Sequence, residues 1–133
     1  MAVLHERLAA DTVPVRSLAL SEILLMRNRL WPWVILVPRR DGAKEIHHLP
    51  APDRTLLMEE VATVSVAMEE IFGPDKLNIG ALGNVVPQLH VHVIARRIGD
   101  PAWPGPVWGA GFHEEYGADE LAETVARLNV ALG

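Results

Sequence analysis

The sequence predicts an α+β domain: a mostly antiparallel sheet with one long helix and a C-terminal helix. Two observations predict it. Extended apolar segments come in adjacent pairs instead of alternating regularly with helices, and each pair is followed by a segment with apolar residues at helical spacing. The order is therefore strands, helix, strands, helix. At 133 residues the chain makes one domain, 1–133, long enough to bury a core without staples.

Taken in order, "HERLAADT" makes a short amphipathic helix that Pro14 would end. "SLALSEILLMRN" has strand-like apolar density, and "WPWVILVPRR" holds a short continuous apolar run closed by Pro38. Together they read as an antiparallel hairpin turning near Asn28 to Pro32. A polar turn follows around Asp41-Gly42, then a short extended piece. The clearest helix is "PDRTLLMEEVATVSVAMEEIFG", with Leu56, Leu57, Val61, Val64, Met68, Ile71 and Phe72 on one face. Asp53 can cap its start and Gly73 its end. "KLNIGALGN" and "QLHVHVIARR" are the next strands. Four glycines and three prolines in "GDPAWPGPVWGAGF" make an irregular loop. The last helix covers about residues 118 to 131, with Asp119 and Glu120 near its start and Arg127 near its end, as the helix dipole prefers.

Composition narrows the function classes. The net charge of −5 argues against sequence-independent binding to nucleic acid. The absence of cysteine removes disulfides, thiol nucleophiles and cysteine-ligated zinc, and it fits a cytoplasmic protein. The N-terminus carries charges and no long apolar core, so it does not read as a signal peptide. No apolar run approaches the roughly 20 residues that span a bilayer. Neither a membrane nor a nucleic acid is expected as a partner.

"PQLHVHVIARR" carries the chemistry. Strand alternation puts Gln88, His90, His92 and Arg96 on one face, and Leu89, Val91, Val93 and Ala95 on the core face. Residues two apart on a strand are roughly 6.5–7 Å apart, so both imidazoles can touch one phosphate or one metal ion. Three readings compete. A polar strand face against solvent also reads Gln-x-His-x-His. A metal-dependent hydrolase would use His90 and His92 as ligands, with a third from His47, His48, His113 or a carboxylate. In the third reading a neutral imidazole attacks phosphorus and forms a phosphoramidate that water later cleaves, while donors steady the phosphate oxygens.

The stretch "QLHVHVIARR", preceded by "LNIGALGN", resembles the histidine triad (HIT) superfamily, whose signature is His-φ-His-φ-His-φ-φ with φ apolar. Two histidines and the apolar positions Leu89, Val91, Val93 and Ile94 match. Family members often carry an Asn in the preceding strand, where Asn78 stands, and Gly-Gln before the triad, where Gly83-Asn84 stands. "LMRNRLWPWVILVPRR" is similar to the family's ribose-binding hairpin. The resemblance spans roughly residues 15 to 100 and implies a HIT-like fold. It further implies a nucleotide hydrolase or transferase acting at the α-phosphate of a conjugate such as a dinucleoside polyphosphate, for example diadenosine tetraphosphate, or a nucleoside phosphoramidate. On that resemblance His90 is the nucleophile and His92 binds phosphate oxygens. Asn84 reaches the phosphate or leaving group, Asn28 lies near the ribose, and Asn78 is either a phosphate-side contact or a strand bridge. Gln88 departs from the family, whose first position is usually histidine: an amide donates a hydrogen bond but is no general acid. The resemblance implies a homodimer and no required cofactor, although a divalent cation can accompany a polyphosphate. A nucleotide-binding module without turnover is the remaining alternative, with Gln88 as the trace of that loss.

Outside the triad, Arg96 reads either as a distal-phosphate ligand or as a solvated strand end. Trp103 and Trp108 either cover a leaving group or pack a loop onto the sheet. Trp31 and Trp33 read as a base pocket or as core. His47 and His48 read as surface residues, and His5 and His113 have no partner in sequence.

Overall fold

The computed structural model describes residues 3–133. A short helix, α1 (Glu6–Asp11), leads into three strands, β1 (Thr12–Ser17), β2 (Ser21–Met26) and β3 (Trp33–Pro38). A 3-10 turn (Ile46–His48) precedes the long helix α2 (Ala51–Phe72). Strands β4 (Lys76–Gly80) and β5 (Val91–Arg96) follow, and α3 (Ala118–Leu132) comes last. The strands form one antiparallel sheet in the order β1-β2-β3-β5-β4. The α+β architecture and the β2–β3 hairpin are as the sequence predicts.

Several local expectations differ, among them the short extended piece expected after Asp41-Gly42, which is the 3-10 turn Ile46–His48. Thr12–Ser17 is a strand that the pattern does not announce, because Pro14 reads as a breaker. Proline is tolerated there because β1 is a sheet edge, and the register shifts between Pro14 and Arg16. Strand β5 begins at Val91, so Gln88 and His90 stand in the segment that leads into it. That segment is held by Leu89, whose N–H donates to the Ala43 carbonyl at 3.0 Å. Asp53 does not cap α2. The cap position is Pro50, without a side-chain bond, and Asp53 instead accepts from Arg40 Nε at 2.7 Å. At the other end Gly73 takes the left-handed conformation, φ 53°, which glycine adopts without a Cβ penalty. Arg127 extends the C-cap of α2 and not of its own helix, donating to the Ile71 carbonyl at 2.9 Å.

Two cores flank the sheet. On one face Leu57, Val61, Val64 and Met68 of α2, with Leu128 and Leu132 of α3, pack on Val34, Leu36, Val91, Val93 and Ala95. Each Val, Leu or Met side chain among them contributes roughly 1.5–3 kcal/mol when fully buried. On the other face Leu8 of α1 and Val107 of the loop after β5 join Trp31, Trp33, Ile35, Val37 and Ile94. Every residue of β3 and of β5 is therefore buried, which suits the continuous apolar run of β3. Among the described residues no helix is long and apolar enough to cross a membrane.

Candidate active site

His92 lies near the start of β5 and His90 immediately before it, each only 6% exposed. Their ring centroids are 4.9 Å apart and the rings are inclined at 65°. His90 Nδ1 is 2.6 Å from the backbone carbonyl oxygen of Gln88. A carbonyl only accepts, so Nδ1 carries the hydrogen and Nε2 keeps its lone pair. His92 is the reverse: its Nδ1 accepts from the indole N–H of Trp33 at 2.9 Å, so its ring proton is on Nε2. Neither Nε2 has a hydrogen-bond partner among the described residues.

The His92 ring is packed between aromatic neighbours. Trp33 lies 5.8 Å from it, and Trp108 presents itself edge-on at 5.4 Å. Trp108 in turn rests on Gly80, where a Cβ would come within 3.0 Å of the indole. Burial in this setting, and secondarily the charge of neighbouring His90, push the His92 pKa down to about 3. His92 is therefore a neutral ring throughout the physiological range.

The other expected site residues are placed less uniformly. The Gln88 side chain is turned to the N-terminal segment: its Oε1 accepts from the His5 amide at 2.7 Å and its Nε2 donates to the Val3 carbonyl at 3.0 Å. Its contribution to His90 is its backbone carbonyl. Arg96 is not placed to hold a phosphate. It is 1% exposed, donates to both carboxylate oxygens of Asp100 at 2.8 and 2.9 Å, and stacks over Trp103. That guanidinium, with backbone N–H groups of Arg97 and Ala102, holds the Asp100 carboxyl well below the usual range. Asn78 belongs to the same cluster, accepting from Arg96 at 2.7 Å, and so bridges the two strands. Asn28 donates to the Phe112 carbonyl at 3.0 Å and accepts from the amides of Leu30 and Glu114. It thereby ties the late loop to the hairpin, with one amide hydrogen left over. Asn84 is exposed in the loop before His90 and makes no hydrogen bond among the described residues.

Two clefts border this arrangement. One, of about 180 Å³, is lined by His90 and Gln88 together with Lys44, His47 and Gly83. The other, of about 320 Å³, is lined by Asp11, Arg27, Asn28, Trp33 and Phe112. His47 and Lys44 thus join the site's surroundings, although a connector gives no periodicity by which to place them. Trp33, which the sequence leaves open between base pocket and core, also joins the site. Its link to His92 depends on the pairing of Trp33 with Ile94 across β3 and β5, a register that the sequence does not print. Among the described residues no group of three or more His, Cys, Asp or Glu comes together that could hold a metal ion.

Residues 8–99 match the family model described as HIT domain. The chain is similar to a solved histidine triad protein from Bradyrhizobium japonicum: 46% identity, TM-score 0.96, covering 98% of each chain. It is also similar to one from Marinobacter aquaeolei, at 50% identity and TM-score 0.95, covering 98% of this chain and 95% of that one. A zinc-bound histidine triad family protein from Mycobacterium smegmatis shares the fold at 19% identity and TM-score 0.64, with 95% and 88% covered. No curated protein matches the sequence.

Proposed function

The chain belongs to the HIT-domain family, and from that premise we propose that it is a nucleotide hydrolase or transferase working through a covalent nucleotidyl-His90. The substrate is a nucleotide conjugate, such as a dinucleoside polyphosphate or a nucleoside phosphoramidate, cleaved at its α-phosphate. The observation that carries the reading is the 2.6 Å contact of His90 Nδ1 with the Gln88 carbonyl, which leaves the Nε2 lone pair for phosphorus.

In the first step the Nε2 lone pair forms an N–P bond, and the bond from phosphorus to the leaving group breaks with its electron pair going to the leaving group. The leaving group takes a proton from solvent or from a group in the cleft. The His90 ring becomes cationic, and its Nδ1–H, already donating to a carbonyl, is held more strongly in that state. His92 Nε2–H donates to a phosphate oxygen as charge gathers there. Water then attacks phosphorus, releases a proton and returns the N–P pair to Nε2. In a transferase another nucleophile takes the place of water. The chemistry requires no metal, though a divalent cation can accompany a polyphosphate. The cleft beside Asn28 is large enough for a nucleoside and supports placing the base and ribose there. We also propose a homodimer: β4 is a sheet edge, and exposed Ile79 and Leu82 lie on and just beyond it.

A panel of adenosine and guanosine conjugates assayed with wild type and His90→Ala tests the reading. An acid-labile nucleotidyl adduct, seen by mass spectrometry in wild type and missing in His90→Ala, is the expected result, with turnover lost in the variant and its fold retained. Turnover that persists in His90→Ala defeats the proposal. Turnover that disappears on exhaustive chelation and returns with a metal, for an uncharged-leaving-group phosphoramidate as well as for a polyphosphate and with no nucleotidyl adduct on His90, points instead to the metal-dependent hydrolase. A nucleotide that binds without conversion leaves a binding protein.

A further inference from the structure

We propose that Trp33 is a positioning residue for His92: its indole N–H occupies the Nδ1 lone pair and so keeps the ring's single proton on Nε2. The inference rests on the reading of His90 as nucleophile and His92 as the donor beside it.

His90 and His92 come from one short segment, yet their Nδ1 atoms meet partners of opposite kind. One meets a carbonyl oxygen at 2.6 Å and the other an indole N–H at 2.9 Å. An indole nitrogen only donates, and a carbonyl only accepts. The two rings are therefore held in opposite tautomers. Moving the His92 proton to Nδ1 would set two hydrogens against each other in a buried place and leave the indole N–H without a partner.

Trp33 can impose this because it is itself fixed. It is the first residue of β3, paired with Ile94, and 8% exposed. The ladder continues past it, since the Ala95 amide donates to the Pro32 carbonyl at 2.9 Å. Trp108 closes on His92 as a further wall. His92 is consequently a neutral donor whose charge does not change during turnover. Attack on phosphorus changes the charge of His90 alone. Position 33 needs a donor N–H, and packing volume by itself does not serve.

Two variants separate donor from packing. Trp33→Phe keeps an aromatic ring without the N–H, and Trp33→Gln keeps an N–H without the ring. The readouts are the ¹⁵N shifts of the His92 ring nitrogens and the pH profile of kcat, measured with a conjugate that wild type converts. Wild type should show a bare Nδ1 and a protonated Nε2, with no titration between about pH 8 and 5. Trp33→Phe should mix the tautomers, leave the ring buried and neutral, and lower kcat by about 10–100-fold, the size of effect seen when a hydrogen bond that orients a functional imidazole is lost. Trp33→Gln should retain the Nε2–H form and exceed Phe in kcat. A protonated Nδ1 on wild-type His92 overturns the proposal, as does a Phe variant that keeps wild-type tautomer and rate, or one that outperforms Gln. Should wild type convert no conjugate, the reaction proposed at His90 fails, while the nitrogen shifts still decide the role of Trp33.

Discussion

Acidification should weaken the fold through His92, by an amount that follows from its surroundings. The ring is buried and neutral, with its pKa lowered to about 3, whereas in the unfolded chain it titrates near about 6.5. Between those values the unfolded state binds a proton that the folded state refuses. Stability therefore rises with pH across this window and is lost as pH falls from about 6.5 toward 3. One pKa unit corresponds to about 1.4 kcal/mol, so lowering the pH from about 7 to 5 should cost about 2 kcal/mol through this residue alone. A large part of a small domain's total stability of about 5–15 kcal/mol is at issue. Asp100 does not confuse the measurement, because its carboxyl is held low and titrates beneath this window. The assay is urea unfolding at about pH 7, 6 and 5, comparing wild type with His92→Gln, whose amide oxygen can accept from Trp33 but does not titrate. The variant should lose less stability than wild type by about 2 kcal/mol over the interval. Parallel losses in the two proteins would refute the reasoning, since His92 would then take up a proton equally in both states.

Three further outcomes follow from other contacts. Asp100→Asn should destabilise by about 3 kcal/mol or more, because it leaves the buried Arg96 charge without its counterion, and thermal unfolding reads this directly. Gly80→Ala should displace Trp108 from its seat, where a new Cβ meets the indole at 3.0 Å. A cost of about 1–3 kcal/mol and altered near-ultraviolet circular dichroism are the expected signs. Gln88→Leu should cost about 1 kcal/mol and speed hydrogen exchange at the His5 amide, which donates to the Gln88 side chain.

Legibility in the sequence divides along local and non-local lines. The long helix, the hairpin and the His90–His92 pair are readable because each rests on spacing within one segment. The resemblance that implies a HIT-like fold is legible for the same reason, since it rests on motifs within single segments, the histidine strand and the hairpin upstream. Strand β1 was not readable, because its qualification for holding Pro14 is that it lies at a sheet edge, which only the assembled sheet defines. Arg96 shows the same limit. Alternation puts it on the face of His92, correctly, but the loop after β5 returns Asp100 and Trp103 to that face and turns a phosphate candidate into a buried ion pair. In the sequence Gln88 reads by its side chain, as a substitute for histidine. The contact with His90 is made by its main chain, which any residue at that position carries.

That last point bears on how a glutamine can stand first in the triad. Orientation of His90 needs a carbonyl two residues earlier, and the backbone supplies it whatever the side chain is. The amide is thereby released to hold the N-terminal segment beside the site. His92 has no such local partner and depends on an indole from a neighbouring strand. Both rings are largely buried, and a polar atom in such surroundings acts more strongly than one in bulk water. With each Nδ1 satisfied, the reactive capacity of the pair is confined to two Nε2 atoms of opposite character, a lone pair on one and a hydrogen on the other. A tetrahedral phosphorus centre, electrophilic at its core and anionic at its oxygens, is the kind of group that requires both at once.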